Sequence, residues 1–161
     1  MKIFLVILII LFNLQSLSKA DDLRDFEIDG LSIGLSLLDF FSKEQIESEK
    51  ATYYKNNEFG TVSFGALDPK YDEIQASWRT SDKKYKIESI AAGIHQDNIE
   101  NCYKKMEEVS EELGNFFKIK PDKKTSHPNP WGLFTYITIP FENGDEVTVS
   151  CYDYEDKFDY M

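Results

Sequence analysis

The chain has 161 residues, and its 29 acidic side chains outnumber its 18 basic ones, so its formal net charge is −11. A nucleic-acid binder needs a basic face to displace counterions from phosphates, and this balance argues against one. The same balance disfavours docking on an anionic membrane surface. The length suits one domain with a core of its own.

The amino end has the three parts of an export signal. A lysine follows the first methionine, residues 3–12 form an unbroken apolar run, and Ser18 and Ala20 supply the small residues of a cleavage site. Ten apolar residues span about half of a bilayer core, so a cleaved signal is favoured over a membrane anchor. We expect residues 1–20 to be removed and residues 21–161 to form one periplasmic or secreted domain without stable membrane insertion.

Short elements are predicted at the start of the mature chain. Residues 26–31 are typical of a short leading strand or extended arm. Ser36 is predicted to begin a helix with Asp39 as its capping-box partner, and Ser42 with Gln45 repeats that signal. Two cap signals so close together predict a short kinked helix rather than one long rod.

Residues 51–95 have the pattern of β structure. Apolar residues alternate with polar ones from Ile74 to Trp78, and the polar residues 80–84 form a hairpin turn into the next strand. The alternation in that next strand is blurred, and a bulge near Ser89 would restore its phase.

An amphipathic helix is the clearest predicted element. Asp97 is the expected cap with Glu100 at the box position, and apolar residues then recur at helical spacing along one narrow stripe. The stripe consists of Ile99, Cys102, Met106, Val109, Leu113 and Phe116. After it, residues 118–130 contain four lysines and three prolines, which predicts an irregular loop.

A C-terminal β-hairpin is predicted around the turn sequence Asn143-Gly144. A three-residue loop at 142–144 pairs Ile139 with Val147 and places both alternating apolar sets on one face, whereas a two-residue loop would separate them. We expect the longer loop, with Gly144 left-handed. The order of elements predicts a single α+β domain in which an antiparallel sheet is covered on one face by two helices.

The two cysteines, Cys102 and Cys151, each lie on the predicted inward face of their element. In an exported protein this favours a structural disulfide that joins the long helix to the last strand. Two buried free thiols are the alternative. Two thiolates lack the further ligands that zinc requires, so we expect neither a metal site nor a cofactor.

Catalytic motifs with local signatures are absent from the sequence, and no catalytic residue is assigned. The two histidines, His95 and His127, have no spacing that supports a triad or a metal site. The acidic stretch 153–159 lacks the turn glycine of a calcium loop. Paired carboxylates have no local signature, so a small hydrolase acting on polysaccharide or cell-wall substrates stays open as the alternative to a protein without enzymatic activity.

Aromatic residues are concentrated late in the chain and supply the candidate binding residues Trp131, Tyr152 and Tyr154. An aromatic side chain at a loop edge can stack on a sugar or an apolar ligand, or form a hydrophobic lid over the hairpin. The leading hypothesis is therefore a non-catalytic module that binds a partner protein or a small ligand.

A group of four lysines stands out in this acidic protein: Lys118, Lys120, Lys123 and Lys124. It could receive an anion or the acidic, aromatic tail at about 153–161, or it could simply be solvated.

Three stretches together resemble a family of small exported proteins of unknown function from marine bacteria. They are residues 25–34 (DFEIDGLSIG) running into 37–42 (LLDFFS), residues 102–106 (CYKKM) and residues 150–153 (SCYD). In that family the turn before the first helix reads Gly-Asp-Ser, and Leu35 stands here in place of the acid. The resemblance implies one domain, export and the cysteine pair, and it implies no activity.

Overall fold

The computed structural model describes residues 23–52, 56–65, 69–130 and 132–154, which leaves the predicted signal at 1–20 outside the described residues. The strands in these ranges are β1 (Glu27–Ile28), β2 (Leu31–Ser32), β3 (Phe59–Phe64), β4 (Glu73–Arg79), β5 (Ile87–Gly93), β6 (Thr125–Asn129), β7 (Gly132–Pro140) and β8 (Glu146–Tyr154). The helices are α1 (Lys43–Glu49) and α2 (Ile99–Phe117), and 3₁₀ turns lie at Leu23–Asp25 and Leu37–Asp39.

The strands form three small antiparallel sheets, with the orders β1-β2, β3-β4-β5 and β6-β7-β8. The predicted α+β content is confirmed, but the single sheet covered by two helices is not what the chain forms. Helix α2 packs on β7 and β8, whereas α1 contacts β3 of the other three-stranded sheet. Alternation shows which face of a strand is buried, but it does not show which strands pair across a long connection such as α2.

The β3-β4-β5 sheet buries one face under the amino-terminal segment. The alternation predicted from Ile74 to Trp78 is confirmed, because its apolar members are at most 1% exposed. They pack against buried residues of β2, the second 3₁₀ turn and α1, which are Leu31, Leu37 and Ile46. The predicted arm at 26–31 is the strand pair β1-β2, and its turn residues Asp29 and Gly30 are both left-handed.

The predicted bulge in β5 is also confirmed. Ser77 pairs with Ser89 whereas the next residue, Trp78, pairs with Ile87, so Glu88 is the extra residue on β5. A bulge of this kind lets apolar residues on both sides of it face the same core.

Both serine cap signals correspond to real helix starts. The Ser36 hydroxyl accepts the backbone N–H of Leu38 at 3.1 Å, but the element that it caps is a 3₁₀ turn rather than an α-helix. Ser42 and Gln45 form a reciprocal capping box that begins α1. The predicted kinked element is therefore a 3₁₀ turn followed by a short α-helix.

The long helix α2 differs from its predicted phase at both ends. Asn98, not Asp97, is the cap, and its side chain accepts the N–H of Asn101 at 2.9 Å. At the other end Phe117 is buried, whereas Phe116 is 52% exposed. Met106 is buried, and at about 100° per residue Phe117 lies roughly 20° from its line whereas Phe116 lies roughly 80° away.

The loop predicted over residues 118–130 is only half irregular, because β6 forms within it and pairs with β7. Pro128 lies in β6, and an edge strand tolerates proline because its outer N–H groups need no partner in the sheet. The prediction of a loop was therefore wrong for residues 125–129, because the lysines and prolines around them argued against a strand.

The hairpin register agrees with the prediction along its whole length. Ile139 pairs with Val147, and Cys151 pairs with Thr135. The loop closes with the Phe141 N–H donating to the Asp145 carbonyl at 2.9 Å, and Gly144 has a φ of 91°. Within the described ranges no helix is both long and apolar enough to cross a membrane.

Candidate functional site

The β6-β7-β8 sheet has one face against α2 and one face toward solvent. Along β7 the side chains of Thr135, Ile137 and Ile139 are buried on the helix side. Their neighbours Phe134 and Tyr136 point to the other side and are half-buried. The outer face of this sheet therefore carries aromatic side chains among its polar ones, although no described helix covers it.

Four side chains form a continuous row across that outer face, and we call this set the aromatic row. It runs from His127 on β6 to Tyr136 and Phe134 on β7 and then to Tyr152 on β8. The ring centroids are 5.8 Å apart for His127 and Tyr136, and 5.1 Å for Tyr136 and Phe134. Phe134 and Tyr152, which are paired across the strands, have centroids 4.6 Å apart.

Successive rings of the aromatic row are stacked on one another. The angles between successive ring planes are only 23° to 30°, and at these distances the rings are offset-stacked rather than laid side by side in one plane. The row therefore presents a continuous stacked aromatic ridge, which suits packing against the apolar side chains of a partner.

The aromatic row borders a shallow depression of about 400 Å³ on the same face. Its floor and rim add threonine hydroxyls and one carboxylate to the aromatic side chains, from Thr138, Thr148 and Glu146. This combination offers apolar contact with a few polar groups at the margin, which is the composition of a protein-binding surface.

A buried layer beneath the aromatic row holds its strands in place. The Thr135 hydroxyl lies 2.9 Å from that of Ser126 on β6 and 3.4 Å from that of Tyr103 on α2. Beside it, Cys102 and Cys151 form the predicted disulfide, with Cα atoms 6.0 Å apart. Hydroxyls and disulfide together fasten all three strands and the helix, so the outer face is supported by a rigid layer.

A second depression lies at the carboxyl end of α2. Its lining includes Glu111, Lys118 and Lys120, so part of the predicted lysine group borders a surface feature. Lys124 instead pairs with Glu107 at 2.6 Å and lies over the Tyr103 ring. The lysine group is thus divided between a solvated rim and a structural ion pair.

Among the described residues that line them, neither depression has the acid pair that glycoside hydrolysis requires, since Glu146 is the carboxylate at the first and Glu111 the carboxylate at the second. Among the described residues no group of three or more His, Cys, Asp or Glu side chains could hold a metal ion.

The candidate binding residues predicted from sequence have different outcomes. Tyr152 is 51% exposed and belongs to the aromatic row. Trp131 lies outside the described residues, and for Tyr154 the structure describes only the backbone, at the end of β8. Most of the acidic stretch considered for calcium lies outside as well. His95 is exposed and apart from the row, and its backbone N–H donates to Asp72 at 2.6 Å.

Three members of the aromatic row were missing from the predicted site, namely His127, Phe134 and Tyr136. The sequence did indicate Phe134 and Tyr136, because the residues on both faces of β7 are largely apolar or aromatic. A strand with one solvated face normally shows polar residues on that face. His127 had no such signal, since its strand was not predicted.

Comparison with protein-family models, with curated proteins and with solved structures finds no match for this chain.

Proposed function

We propose that this protein is a non-catalytic binding module that docks a partner protein on the aromatic row. The single observation that carries the proposal is the stacked row of His127, Tyr136, Phe134 and Tyr152 on a sheet face with no described covering element. Tyrosine and phenylalanine are enriched in protein interfaces, where large rigid side chains bury area at little entropic cost.

A protein partner is favoured over a small ligand by the shape of this surface. Small-molecule sites are concave and enclose most of the ligand surface. The depression beside the row is shallow, and the neighbouring rings of the row stack on one another. A broad partner surface can cover such a ridge, whereas a small ligand would remain largely in water.

The proposal includes the route by which the protein meets its partner. We propose that the signal at 1–20 is removed on export, in keeping with the resemblance to small exported proteins of marine bacteria. The disulfide supports an oxidising compartment, such as a periplasm or the extracellular space. The intact mass of the protein from its host should be that of residues 21–161, and reduction should add about two mass units for the one broken bond.

Photo-crosslinking in the native host tests the docking surface. A photoreactive phenylalanine analogue replaces Tyr136 in one variant and Glu112, which is exposed on α2, in the control. We expect a discrete crosslinked adduct from position 136 and none from position 112. Equal adducts at both positions, or none at 136 in a folded variant, would contradict the proposal.

A second pair of variants separates docking from folding. Tyr136→Ser removes the ring at the centre of the row, and Glu112→Ser is the control on the exposed side of α2. With the photoreactive group at position 152, Tyr136→Ser should reduce the adduct at least tenfold while Glu112→Ser leaves it unchanged. Unfolding transitions of both variants show whether the fold is intact.

A further inference from the structure

The outer edge of β8 has backbone hydrogen-bonding groups that no described segment uses. The sheet order β6-β7-β8 places this nine-residue strand at an edge. The bond from Phe141 to Asp145 sets the phase of the ladder, so Val147, Val149 and Cys151 direct their N–H and C=O groups toward β7. The residues between them direct theirs away from the sheet.

Three of the outward-directed residues are Glu146, Thr148 and Ser150. In the described part of the chain no backbone hydrogen bond reaches these groups, and the first two residues are exposed. At the edges of the β3-β4-β5 sheet, by contrast, outward backbone groups are hydrogen-bonded to neighbouring segments. Thr61 on β3 exchanges two bonds with Ala51, and Ile87 on β5 donates to the Leu35 carbonyl.

Strand β8 also lacks the features that commonly protect an edge from pairing. Between Val147 and Tyr152 it contains no proline, no lysine and no charged residue, and its register with β7 has no bulge. The side chains in this stretch are β-branched, small or aromatic, which are the types that fit a sheet. Edge β6 in the same sheet contains Pro128 and follows the lysine group.

We propose that the partner contributes an extended segment with basic ends, which adds to the sheet as a strand antiparallel to β8. This inference rests on the proposed function, because the added strand would lie beside Tyr152 and continue the surface of the aromatic row. Its backbone would bond to Glu146, Thr148 and Ser150 from the open side.

Charge identifies the chemistry of this strand. Glu146 and Asp153 stand at the two ends of β8 and are both exposed, and Glu142 and Asp145 add negative charge at the hairpin end. A partner strand of eight residues with lysine or arginine at its first and last positions places a cation opposite Asp153 and another opposite Glu146. Opposite charges across paired strands are stabilising.

A second copy of this chain is disfavoured at the edge by charge. Each copy carries a net charge of −11, so two copies repel each other over a long range.

A designed peptide tests the inference directly. The probe is a fluorescently labelled octapeptide, KYVTVTVK, whose fourth and sixth residues would face Ser150 and Thr148. Its binding is followed by fluorescence anisotropy, and the bound site by hydrogen exchange at the amides of residues 148 and 150. We expect saturable binding with slowed exchange at those two amides.

Two methylated peptides form a matched pair. N-methylation of the fourth and sixth residues removes the N–H groups that would bond to β8, and it should weaken binding at least tenfold. N-methylation of the fifth residue, whose N–H would point away from β8, should leave the affinity within about twofold. Equal effects of both modifications would overturn strand addition.

Charge reversal gives an independent measurement. The double variant Glu146→Lys with Asp153→Lys should bind the probe at least tenfold more weakly and should prefer a peptide with glutamate at both ends. Glu112→Lys, on the exposed side of α2, changes the net charge without touching the edge and should leave binding unchanged. If the Glu112→Lys variant also loses affinity for the probe, the weaker binding of the double variant would be an effect of net charge alone, and the inference would be overturned.

Thr148→Pro distinguishes failure of this inference from failure of the proposed function. Proline removes an outward N–H that makes no bond to β7, so the hairpin should still form. If this folded variant loses both peptide binding and the crosslink from position 136, while Thr148→Ala, which keeps the N–H, retains both, the inference stands. If the crosslink remains at full yield, strand addition is wrong while docking on the aromatic row survives. A stable dimer in sedimentation would assign the edge to a second copy instead.

Discussion

Cys102 in the first turn of α2 is bonded to Cys151 on β8, and their Cα atoms are 6.0 Å apart. Cys151 in turn lies opposite Thr135 on β7, which is the residue whose hydroxyl contacts β6 and Tyr103. The disulfide is therefore fixed at the centre of the layer that supports the aromatic row. It closes a sequence separation of 49 residues, which includes all of β6 and β7.

Loss of this disulfide should cost much of the stability of the second sheet. A closed loop of this length stabilises a fold by roughly 4 kcal/mol through the entropy of the unfolded chain. The double variant Cys102→Ala with Cys151→Ala should lower the free energy of unfolding by about that amount in urea titrations. Reduced wild-type protein is the control and should show a similar loss. A decrease below about 1 kcal/mol would contradict the loop-closure argument.

A hydrogen bond between Tyr85 and Glu47 joins the turn after β4 to helix α1. The Tyr85 hydroxyl donates to the Glu47 carboxylate at 2.6 Å, and the Tyr85 side chain is buried against Trp78. This bond lowers the pKa of Glu47 from its ordinary value of 4.5, with Lys50 assisting, against the opposing effect of burial. The same bond, with burial, raises the pKa of Tyr85 above 10.0.

The two pKa shifts predict a stability contribution with two pH limits. The pKa of Glu47 is lower when folded, so its contribution is present above about pH 4.5 and is lost as the pH falls through the lowered value. The pKa of Tyr85 is higher when folded, so its contribution is present below pH 10.0 and is lost as the pH rises through the raised value.

Melting temperatures of wild type and Tyr85→Phe across this range test the shape of that dependence. The variant should melt at a lower temperature near neutral pH, because it leaves Glu47 without its donor. The difference should shrink toward both the acid and the alkaline limit. A difference that stays constant from pH 3 to pH 11 would show that the bond makes no pH-dependent contribution.

Alanine in place of Gly114, in the last turns of α2, should destabilise the protein, although alanine stabilises most helices. A Cβ at this position would lie 2.7 Å from Cδ of Pro121 and 2.9 Å from the Ile119 carbonyl oxygen. Overpacking of this kind costs about 1–3 kcal/mol, which exceeds the gain of about 1 kcal/mol in helix propensity. Gly114→Ala should therefore destabilise the protein in urea titrations.

The neighbouring Asn115 provides the control for Gly114→Ala, because it lies in the same turn and is exposed. Asn115→Ala should be neutral or stabilise slightly, by about 0.5 kcal/mol, since alanine is the better helix former. If both alanine variants gained stability, the close approach of Pro121 to the helix would be wrong.

The hairpin and the bulge could be predicted because each was determined by a single local constraint. One register of β7 and β8 puts Ile139 and Val147 on the same face, and a shift by one residue would expose an entire apolar set. The bulge at Glu88 followed from a break in alternation within one strand. Such constraints act between residues that are near in sequence, so the sequence displays them.

The division into separate sheets and the strand β6 could not be predicted in this way. Strand β6 is short, contains Pro128 and follows a lysine-rich segment, so propensity argued against it. It forms because β7 offers an open edge, and because Ser126 finds a buried hydroxyl partner in Thr135. These are tertiary interactions, and they override local preference.

The aromatic row was only partly visible in the sequence for the same reason. The assembly of His127, Tyr136, Phe134 and Tyr152 depends on three strands in a fixed register. Tyr152 was singled out by composition alone, whereas its stacking on Phe134 follows from their being opposite each other in the ladder. A binding surface made from several strands becomes apparent only after their pairing is known.

The buried face of α2 includes Phe117 rather than Phe116, and this predicts different effects of alanine at the two positions. Phe117 is 3% exposed and its ring packs against Phe26 and Phe141, with centroids 5.6 Å and 5.0 Å away. Phe116 is 52% exposed and contacts Phe26 at 6.2 Å. Phe117→Ala should therefore cost about 3–5 kcal/mol, as for other buried aromatic residues, and Phe116→Ala at most about 1 kcal/mol.

Urea unfolding of the two alanine variants decides which side chain belongs to the core. The substitutions are chemically identical and adjacent, so differences in helix propensity and in the unfolded chain largely cancel. Equal losses would mean that both rings are buried, and a larger loss for Phe116→Ala would restore the stripe predicted from sequence. The expected order follows from helix geometry, because eleven residues at about 100° each bring Phe117 to within roughly 20° of the buried Met106.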